Sequence, residues 1–384
     1  MSFIPYGKQQ IDQQDIDAVV QTLTSDFLTQ GPQIPAFEQR IAQLCQAKHA
    51  CAFSSATAAL HLACLALGVG KGDFVWTSPV TFVASANVAL YCQADIDFVD
   101  INRETGLMCP VKLAEKLEQA AKRNRLPKVL IVVHLAGQSC EMAKIHALCQ
   151  PYDIKIIEDA SHAIGAKYQG QPVGNCRFSD IAVFSFHPVK IMTTAEGGVA
   201  TTQNPQLADK MALLRSHGIT RDESLFTEPS HGPWYYQQID LGFNYRMTDL
   251  QAALGISQSD KLNGFVEKRN ELANRYDQKF ANFPLQPLKQ LKDNWSSYHL
   301  YVILTDEAQL PRKQLFEHLR SNNIGVNLHY IPVHLQPYYQ QLGFKFGDFP
   351  QAEAYYKSAI TLPLFPQLND QQQDFVINCI QDLL

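Results

Sequence analysis

Short apolar runs alternate with helical patterns through the first two thirds of the chain, and this alternation limits the fold more than any other feature. The runs "DFVWTS", "DIDFVD", "KVLIVVHLAG", "IKIIEDA" and "IAVFSFH" are rich in Val and Ile, as are strands buried on both faces. Between them lie helical patterns such as "ATAALHLACLALGVG", which predicts a helix from about Thr57 to Leu67, stopped by Gly68. Helices between buried strands indicate parallel crossovers, so we predict an α/β domain with a largely parallel sheet.

The last third of the chain has a different pattern. A polar stretch at about 218–238 precedes a helical pattern that starts near Thr248 and breaks at Asn263-Gly264. Beyond the break, "YHLYVILT" and "IGVNLHYIPVH" predict strands, and "RKQLFEHLRSNN" and "DQQQDFVINCIQDLL" predict helices. We therefore predict an N-terminal arm at 1–30, a large domain at 31–263 and a small α+β domain at 264–384.

Charge and cysteine content exclude several classes of protein. The net charge is −5 and no long basic run occurs, so we expect no nucleic-acid partner. The nine cysteines form no C-x-x-C motif, which predicts buried thiols in a reducing compartment. H-E-x-x-H is also absent, and we expect no metal site. The N-terminus lacks a signal sequence and no long apolar window occurs, so we expect a cytoplasmic protein without a membrane span.

Polar residues follow several predicted strands, at the carboxyl ends where an open parallel sheet binds its ligands. Ser54, Ser55 and Thr57 precede an apolar helix whose N-terminus would attract an anion, although plain N-capping explains the same residues. Glu158-Asp159 follows "IKII". A carboxylate there can act as a base, pair with a cation, bind a protonated ring nitrogen or cap the next turn.

One lysine lies in an unusual setting, the stretch "SFHPVKIMTTAEGGV". Lys190 follows Ser185 by five residues, and Gly197-Gly198 lets the backbone turn and restart as a strand. A single lysine is usually a surface residue. Taken together, however, the strand ends offer a helix N-terminus for a phosphate, a carboxylate for a ring nitrogen and an amine for an aldehyde. Those are the groups that pyridoxal 5′-phosphate (PLP) requires.

Over nearly its whole length, the sequence resembles the DegT/DnrJ/EryC1/StrS sugar aminotransferase family of fold type I PLP enzymes. The segments that carry the resemblance are "SDFLTQGP", "SSATAALHLACLALGVGKGD", "TSPVTFVASANVAL", "EDASHAIGA", "FSFHPVKIMTTAEGG" and "GFNYRMTDLQAALG". The resemblance implies a large PLP-binding domain and a smaller C-terminal domain. It also implies a homodimer in which Asn244 and Arg246 reach the neighbouring subunit's active site; anchoring of a loop is the alternative role for these residues.

The resemblance assigns roles at the cofactor. Lys190 would bond to the cofactor's aldehyde and then carry a proton, and it favours transamination because relatives with histidine there are sugar dehydratases. Asp159 would keep the ring nitrogen protonated, and Phe82 would stack on the ring unless it is an ordinary core aromatic. His162 stands where many relatives carry glutamine, beside the ring's phenolic oxygen. The implied cofactor-binding residues are Lys190, Asp159, His162, Ser55, Ala56, Thr57, Phe82, Ser185, Asn244 and Arg246.

A narrower resemblance concerns family members that aminate C4 of a UDP-linked 4-keto-6-deoxy-L-sugar in pseudaminic acid biosynthesis. It rests on "SDFLTQGP", on "SFHPVK" followed by "TTAEGG", and on "GVNLHYIPVH". It implies L-glutamate as amino donor and UDP-4-amino-4,6-dideoxy-N-acetyl-β-L-altrosamine as product. The implied substrate-binding residues are Tyr6, Asp26, Phe27, Leu28, Thr29, Asn244, Asn327, Leu328, His329 and Tyr330.

Three alternative functions stay open at this stage. The first is C4 amination of a D-configured UDP-4-keto sugar of the bacillosamine type, and the second is C3 amination of a TDP-sugar. The third is a PLP-binding regulator without turnover, although no DNA-binding helix pair or basic face is visible. The sequence leaves open the sugar epimer, the stereochemistry at C4, the amino donor and any oligomer larger than a dimer.

Overall fold

The structure is a computed structural model that describes residues 2–384. The helices are α1 Gln13–Leu23, α2 Gln33–Cys45, α3 Ala56–Ala66, α4 Ala84–Tyr91, α5 Pro110–Lys122, α6 Met142–Cys149, α7 Pro205–Leu214, α8 Asp249–Asp260, α9 Leu262–Phe280, α10 Arg312–Ser321, α11 Pro337–Gln341, α12 Pro350–Ser358 and α13 Asp370–Gln381. The strands are β1 His49–Phe53, β2 Phe74–Thr77, β3 Asp95–Phe98, β4 Val129–Val133, β5 Lys155–Asp159, β6 Lys167–Tyr168, β7 Gln171–Pro172, β8 Ile181–Ser185, β9 Gly198–Thr202, β10 Ile219–Thr220, β11 Gln237–Gln238, β12 Leu285–Pro287, β13 Asn294–Trp295, β14 Tyr301–Thr305 and β15 Ala359–Leu362. Among residues 2–384, no helix is both long and apolar enough to cross a membrane.

The large sheet confirms the predicted fold class. Its seven strands run in the order β1-β9-β8-β5-β4-β2-β3, and every pair from β8 to β3 is parallel. Strand β9 is antiparallel to both of its neighbours. All five predicted apolar runs form strands of this sheet, and β4 is buried along its whole length. Because β1 therefore points the same way as β8, the carboxyl ends of β1, β5 and β8 lie at one edge.

The helix that follows β1 begins where the sequence predicts it. Ser55 is extended and its side chain accepts a hydrogen bond from the Ala58 N–H, which caps α3. The helix ends before Gly68, whose φ is +76°, a conformation that glycine adopts without strain. The N-terminus of α3 therefore lies at the edge of the sheet where β5 and β8 also end.

A glycine lets β9 approach that helix closely. A Cβ atom added to Gly198 would lie 2.5 Å from the backbone nitrogen of Ala56. Gly198 pairs with Phe53 on one side and with Ser185 on the other. Any larger residue there would push β9 away from the N-terminus of α3, so the glycine brings the ends of β1, β8 and α3 together.

The last third of the chain differs from its prediction in three places. The segment "IGVNLHYIPVH" is not a strand: it forms only isolated bridges, from Ile324 to Ile4 and from Asn327 to Thr361, so its backbone pairs with two different segments rather than with one neighbouring strand. The polar stretch at 218–238 contains the β10–β11 hairpin. The helical break lies at Lys261, between α8 and α9, rather than at Asn263-Gly264. Glycine costs helix stability, but Gly264 lies within α9 and no atom would obstruct an added Cβ there.

The C-terminal part has its own antiparallel sheet, in the order β12-β14-β15. A separate apolar core includes residues of this sheet together with α9, α10 and α13, and Ile4 from the N-terminal arm joins it. The division into an arm at 1–30, a large domain at 31–263 and a small domain at 264–384 stays a prediction. Its second boundary lies just inside α9.

Candidate active site

A cavity of about 840 Å³ lies at the carboxyl edge of the large sheet. One side, which we call the strand-end wall, consists of Ser55–Thr57, Asp159, Ser185 and Lys190. A second group of lining residues, which we call the loop wall, consists of Tyr6 and Asn327–Tyr330. Phe82 and His162 line the same cavity. Most of the residues that the sequence singles out therefore meet in one place.

The N-terminus of α3 offers hydrogen-bond donors to the cavity. The Ser55 hydroxyl accepts the hydrogen bond that caps α3, so plain N-capping does occur here. The N–H groups of Ala56 and Thr57 belong to the first turn, where no intrahelical acceptor exists. Among residues 2–384, neither the Thr57 nor the Ser185 hydroxyl makes a hydrogen bond. This corner can bind an anion.

The two adjacent carboxylates of β5 point to different surroundings. Asp159 lines the cavity and is 5% exposed. It accepts hydrogen bonds from the Ser85 hydroxyl at 2.5 Å, and from the Ser161 hydroxyl and N–H at 2.5 and 3.1 Å. Glu158 instead contacts His134 at 2.7 Å and the Ser179 hydroxyl at 2.5 Å. Asp159 is thus held in one orientation, facing the cavity.

Lys190 faces the cavity with its amine unpaired. Its Nζ makes neither a hydrogen bond nor an ion pair with any other described residue, and the side chain is partly buried. Burial disfavours the ammonium form and lowers the pKa of Lys190 to about 8, against the opposing effect of Asp159. A substantial fraction of this lysine is therefore the neutral, nucleophilic amine near physiological pH.

Two histidines that line the cavity, His162 and His329, are held neutral. Burial, followed by the charge of Lys190, lowers the pKa of His162 well below its usual value and that of His329 to about 3. His329 contacts the Thr361 hydroxyl at 2.8 Å, and its carbonyl oxygen accepts a hydrogen bond from Tyr355. The cavity therefore combines the titratable amine of Lys190 with two neutral imidazoles.

Phe82 presents an apolar face to the cavity. It is 59% exposed, which is unusual for a phenylalanine, and its ring centroid lies 6.2 Å from that of Tyr330. The alternative that Phe82 is an ordinary core residue is wrong. An exposed aromatic ring on a cavity wall suits a flat ligand.

Six of the predicted site residues do not line the cavity of their own chain. They lie on two segments, which together we call the outer patch, and they are Asp26, Phe27, Leu28, Thr29, Asn244 and Arg246. A backbone bridge from Thr29 to Thr248 and a hydrogen bond from Asp249 N–H to the Leu28 carbonyl hold the two segments together. Arg246 makes no ion pair or hydrogen bond with the other described residues.

The structure also adds cavity residues that sequence reasoning missed. His299 lines the cavity at 4% exposure, and its buried Nδ1 has no hydrogen-bond partner. Ser161, His187 and Glu196 are lining residues too. The last three lie within the quoted motifs, so their proximity to Asp159 and Lys190 was a usable signal. His299 precedes a strand, β14, of the other sheet, and no local pattern marks it.

The chain matches the DegT/DnrJ/EryC1/StrS aminotransferase family over residues 9–381. It is 39% identical over 385 residues to UDP-4-amino-4,6-dideoxy-N-acetyl-β-L-altrosamine transaminase of Campylobacter jejuni, covering 99% of this chain and 97% of that protein. It is also 39% identical over 388 residues to the spore coat polysaccharide biosynthesis protein SpsC of Bacillus subtilis, covering 100% of this chain and 97% of that protein.

Solved structures give the same picture. Helicobacter pylori PseC, an aminotransferase involved in the biosynthesis of pseudoaminic acid, superimposes with a TM-score of 0.90 and 33% identity, covering 100% of this chain and 99% of that one. Similar solved structures also include the PLP and PMP forms of a single protein.

Proposed function

The chain belongs to the DegT/DnrJ/EryC1/StrS aminotransferase family, and from this membership we propose that it transfers an amino group from L-glutamate to C4 of a UDP-linked 4-keto-6-deoxy-L-sugar. The enzyme is a PLP-dependent sugar aminotransferase. The finer proposal takes UDP-2-acetamido-2,6-dideoxy-β-L-arabino-hex-4-ulose as substrate and UDP-4-amino-4,6-dideoxy-N-acetyl-β-L-altrosamine as product. The name of the Campylobacter relative supports this choice of sugar.

The observation that carries the proposal is the strand-end wall, whose chemistry fits PLP. The N-terminus of α3, with the unpaired hydroxyls of Thr57 and Ser185, suits a phosphate ester. Gly198 has no side chain at this corner, where a Cβ would lie 2.5 Å from the Ala56 nitrogen. Asp159 suits a protonated ring nitrogen, and Phe82 offers a face to an aromatic ring. When bound, PLP supplies an aldehyde that exchanges amines and a ring that withdraws electrons from the carbon being deprotonated.

In this proposal Lys190 has two tasks. Its amine, with a pKa lowered to about 8, would hold the cofactor through its aldehyde. The same nitrogen would be placed to accept a proton from an adjacent carbon and to donate it again. Asp159 stays fixed by Ser85 and Ser161 throughout, so its charge needs no reorganisation.

The loop wall would hold the substrate. The rings of Tyr6 and His329 pack against each other at a tilt of 53°, with centroids 5.3 Å apart. Asn327 pairs with Thr361 through two backbone hydrogen bonds of 3.3 and 2.8 Å. A nucleotide sugar carries its diphosphate and base far from C4. Binding energy from that distant part would orient the keto carbon beside Lys190.

We propose a homodimer because the outer patch is exposed and lies outside its own cavity. The neighbouring helix α1 buries Asp15 against α8, where Ser257, Gln258 and Lys261 contact it. An adjacent face of α1 exposes Ile16, Val20 and Leu23 by about half. This α1 stripe follows the i, i+4, i+7 spacing of an apolar helix face, and such faces are normally covered. A second copy would cover the stripe and receive Asn244 and Arg246.

Mass spectrometry of the product tests the proposed sugar. The holoenzyme is incubated with glutamate and, in separate reactions, with the L-configured and D-configured UDP-4-keto sugars. We expect the amino sugar from the L-configured substrate at a rate at least about tenfold higher, which is about 1.4 kcal/mol of selectivity. Preference for the D-configured substrate would contradict the proposal while leaving the aminotransferase class intact. Replacing glutamate by glutamine or aspartate in the same assay tests the donor.

A further inference from the structure

Both ring nitrogens of His162 already have partners within the protein. Nδ1 lies 3.3 Å from the backbone nitrogen of Ala136, which donates its hydrogen, and Nε2 lies 3.1 Å from the hydroxyl oxygen of Tyr330. The His162 side chain is buried at 6% exposure. His162 therefore has no free nitrogen to offer a ligand, although it lines the cavity.

These contacts determine where the hydrogens lie. A nitrogen that accepts a hydrogen bond carries no proton, so Nδ1 is bare and a neutral His162 has its proton on Nε2. The Nε2–H group then donates to the oxygen of Tyr330. Burial and the nearby charge of Lys190 keep His162 neutral, since they lower its pKa. The tautomer is thus set by the backbone at Ala136.

The hydrogen of the Tyr330 hydroxyl therefore has no acceptor among residues 2–384. Its oxygen accepts from His162 and has no other hydrogen-bond partner among residues 2–384. Tyr330 lines the cavity and its ring is stacked with that of His162, at 23° between planes. Burial raises the pKa of Tyr330, so the hydroxyl keeps its proton. The cavity thus has one oriented O–H donor on the loop wall.

We propose that Tyr330 donates a hydrogen bond to an oxygen of the bound ligands and that His162 is the residue that positions it. The acceptor is either the phenolic oxygen of the cofactor or the keto oxygen of the substrate. No bond forms or breaks at Tyr330, because the proton stays on the hydroxyl. The second acceptor rests on the proposed function; the first requires only PLP binding.

Four variants test this arrangement: Tyr330→Phe, His162→Leu, their combination, and His162→Gln. Tyr330→Phe removes the donor, and His162→Leu removes the group that orients it, so each should weaken the affected step by about 10- to 100-fold. The double variant should match Tyr330→Phe within about twofold, because a positioning residue has nothing left to position. His162→Gln should recover most of the loss, since its amide can accept from Ala136 and donate to Tyr330. Tyr338→Phe, at an exposed tyrosine, is the control.

Two measurements distinguish the acceptors. If the acceptor is the cofactor oxygen, Tyr330→Phe should change both the PLP affinity of the apoprotein and the pH dependence of the cofactor's visible absorbance. If the acceptor is the keto oxygen, these two properties should be the same in Tyr330→Phe as in Tyr338→Phe. The single-turnover rate of the amino form with 2-oxoglutarate or the keto sugar should then fall in Tyr330→Phe. The arrangement is wrong if Tyr330→Phe matches Tyr338→Phe in both measurements, or if the losses from His162→Leu and Tyr330→Phe multiply. Failure of wild-type enzyme on the keto sugar would contradict only the proposed substrate, because PLP and 2-oxoglutarate still test the positioning.

Discussion

The strand-end wall and the loop wall face the same cavity but are built in different ways. The strand-end wall consists of residues at the carboxyl ends of β1, β5 and β8 or within five residues after them. Ser55 is held by a hydrogen bond from Ala58 N–H. Asp159 is held by hydrogen bonds from Ser161 and from Ser85 on α4. The loop wall joins the two ends of the chain. Gly325 N–H donates to the Ile4 carbonyl and Leu364 N–H to the Tyr6 carbonyl.

This difference suggests a division of labour. A wall built on the ends of buried strands holds its groups rigidly, which suits chemistry that is the same for every substrate. A wall built from loops and from the N-terminal arm can change with little effect on the core, which suits recognition of one sugar. The outer patch extends this second kind of construction to a neighbouring copy in the proposed dimer.

The largest expected effect tests the strand-end wall. Lys190→Ala should lower turnover by about 10³-fold or more, because both the nucleophile and the proton carrier are lost. The visible absorbance of the lysine-bound cofactor should vanish as well. The matched control is Lys313→Ala. The Lys313 side chain is 85% exposed, so we expect a far weaker effect on turnover. Lys190→Ala with near-normal turnover would show that chemistry does not depend on this wall.

The same difference explains what the sequence could and could not predict. Buried strands rich in Val and Ile identify themselves, and the carboxyl-end rule then pointed to Ser55, Asp159 and Lys190 from local patterns alone. The resemblance, not local pattern, identified the loop wall. Even so, the segment around Asn327 was predicted as a strand, because its apolar residues satisfy the pattern while its hydrogen bonds go to Ile4 and Thr361, far away in sequence.

Proton positions were beyond the sequence. Both nitrogens of His162 have partners within the protein, and one of these partners is the backbone N–H of Ala136. The φ of Ala136 is +62°, which is rare for a residue other than glycine. Similarly, the exposed α1 stripe became informative only when Asp15 was found on the buried face of the same helix. A pattern of apolar residues alone would have assigned Ile16, Val20 and Leu23 to the core.

A smaller effect is expected from a change in the α1 stripe, which tests the proposed contact with a second copy of the chain. Val20→Asp places a charge in the α1 stripe and should weaken dimerisation by about 10- to 100-fold, since an unpaired charge is costly to bury. Val111→Asp makes the same change on α5, at a valine that is 63% exposed. Sedimentation at several protein concentrations measures the dissociation constant, and turnover should fall in parallel with the dimer fraction. Equal behaviour of the two variants would remove the argument for an interface at α1.

The smallest effect separates the two walls by pH. Burial lowers the pKa of Lys190 from its usual 10.5 to about 8, whereas His329 on the loop wall, with a pKa near 3, stays neutral. The rate of PLP uptake by the apoprotein should therefore rise with pH and level off above about 8, as the amine loses its proton. Between about pH 8 and 10.5, Lys190 is protonated in the unfolded chain but not in the folded protein. The free energy of unfolding of the apoprotein should therefore rise with pH across that window. Lys190→Met should abolish both dependences, and stopped-flow absorbance and urea unfolding measure them. An uptake midpoint near pH 10.5 would mean that the strand-end wall does not activate its lysine.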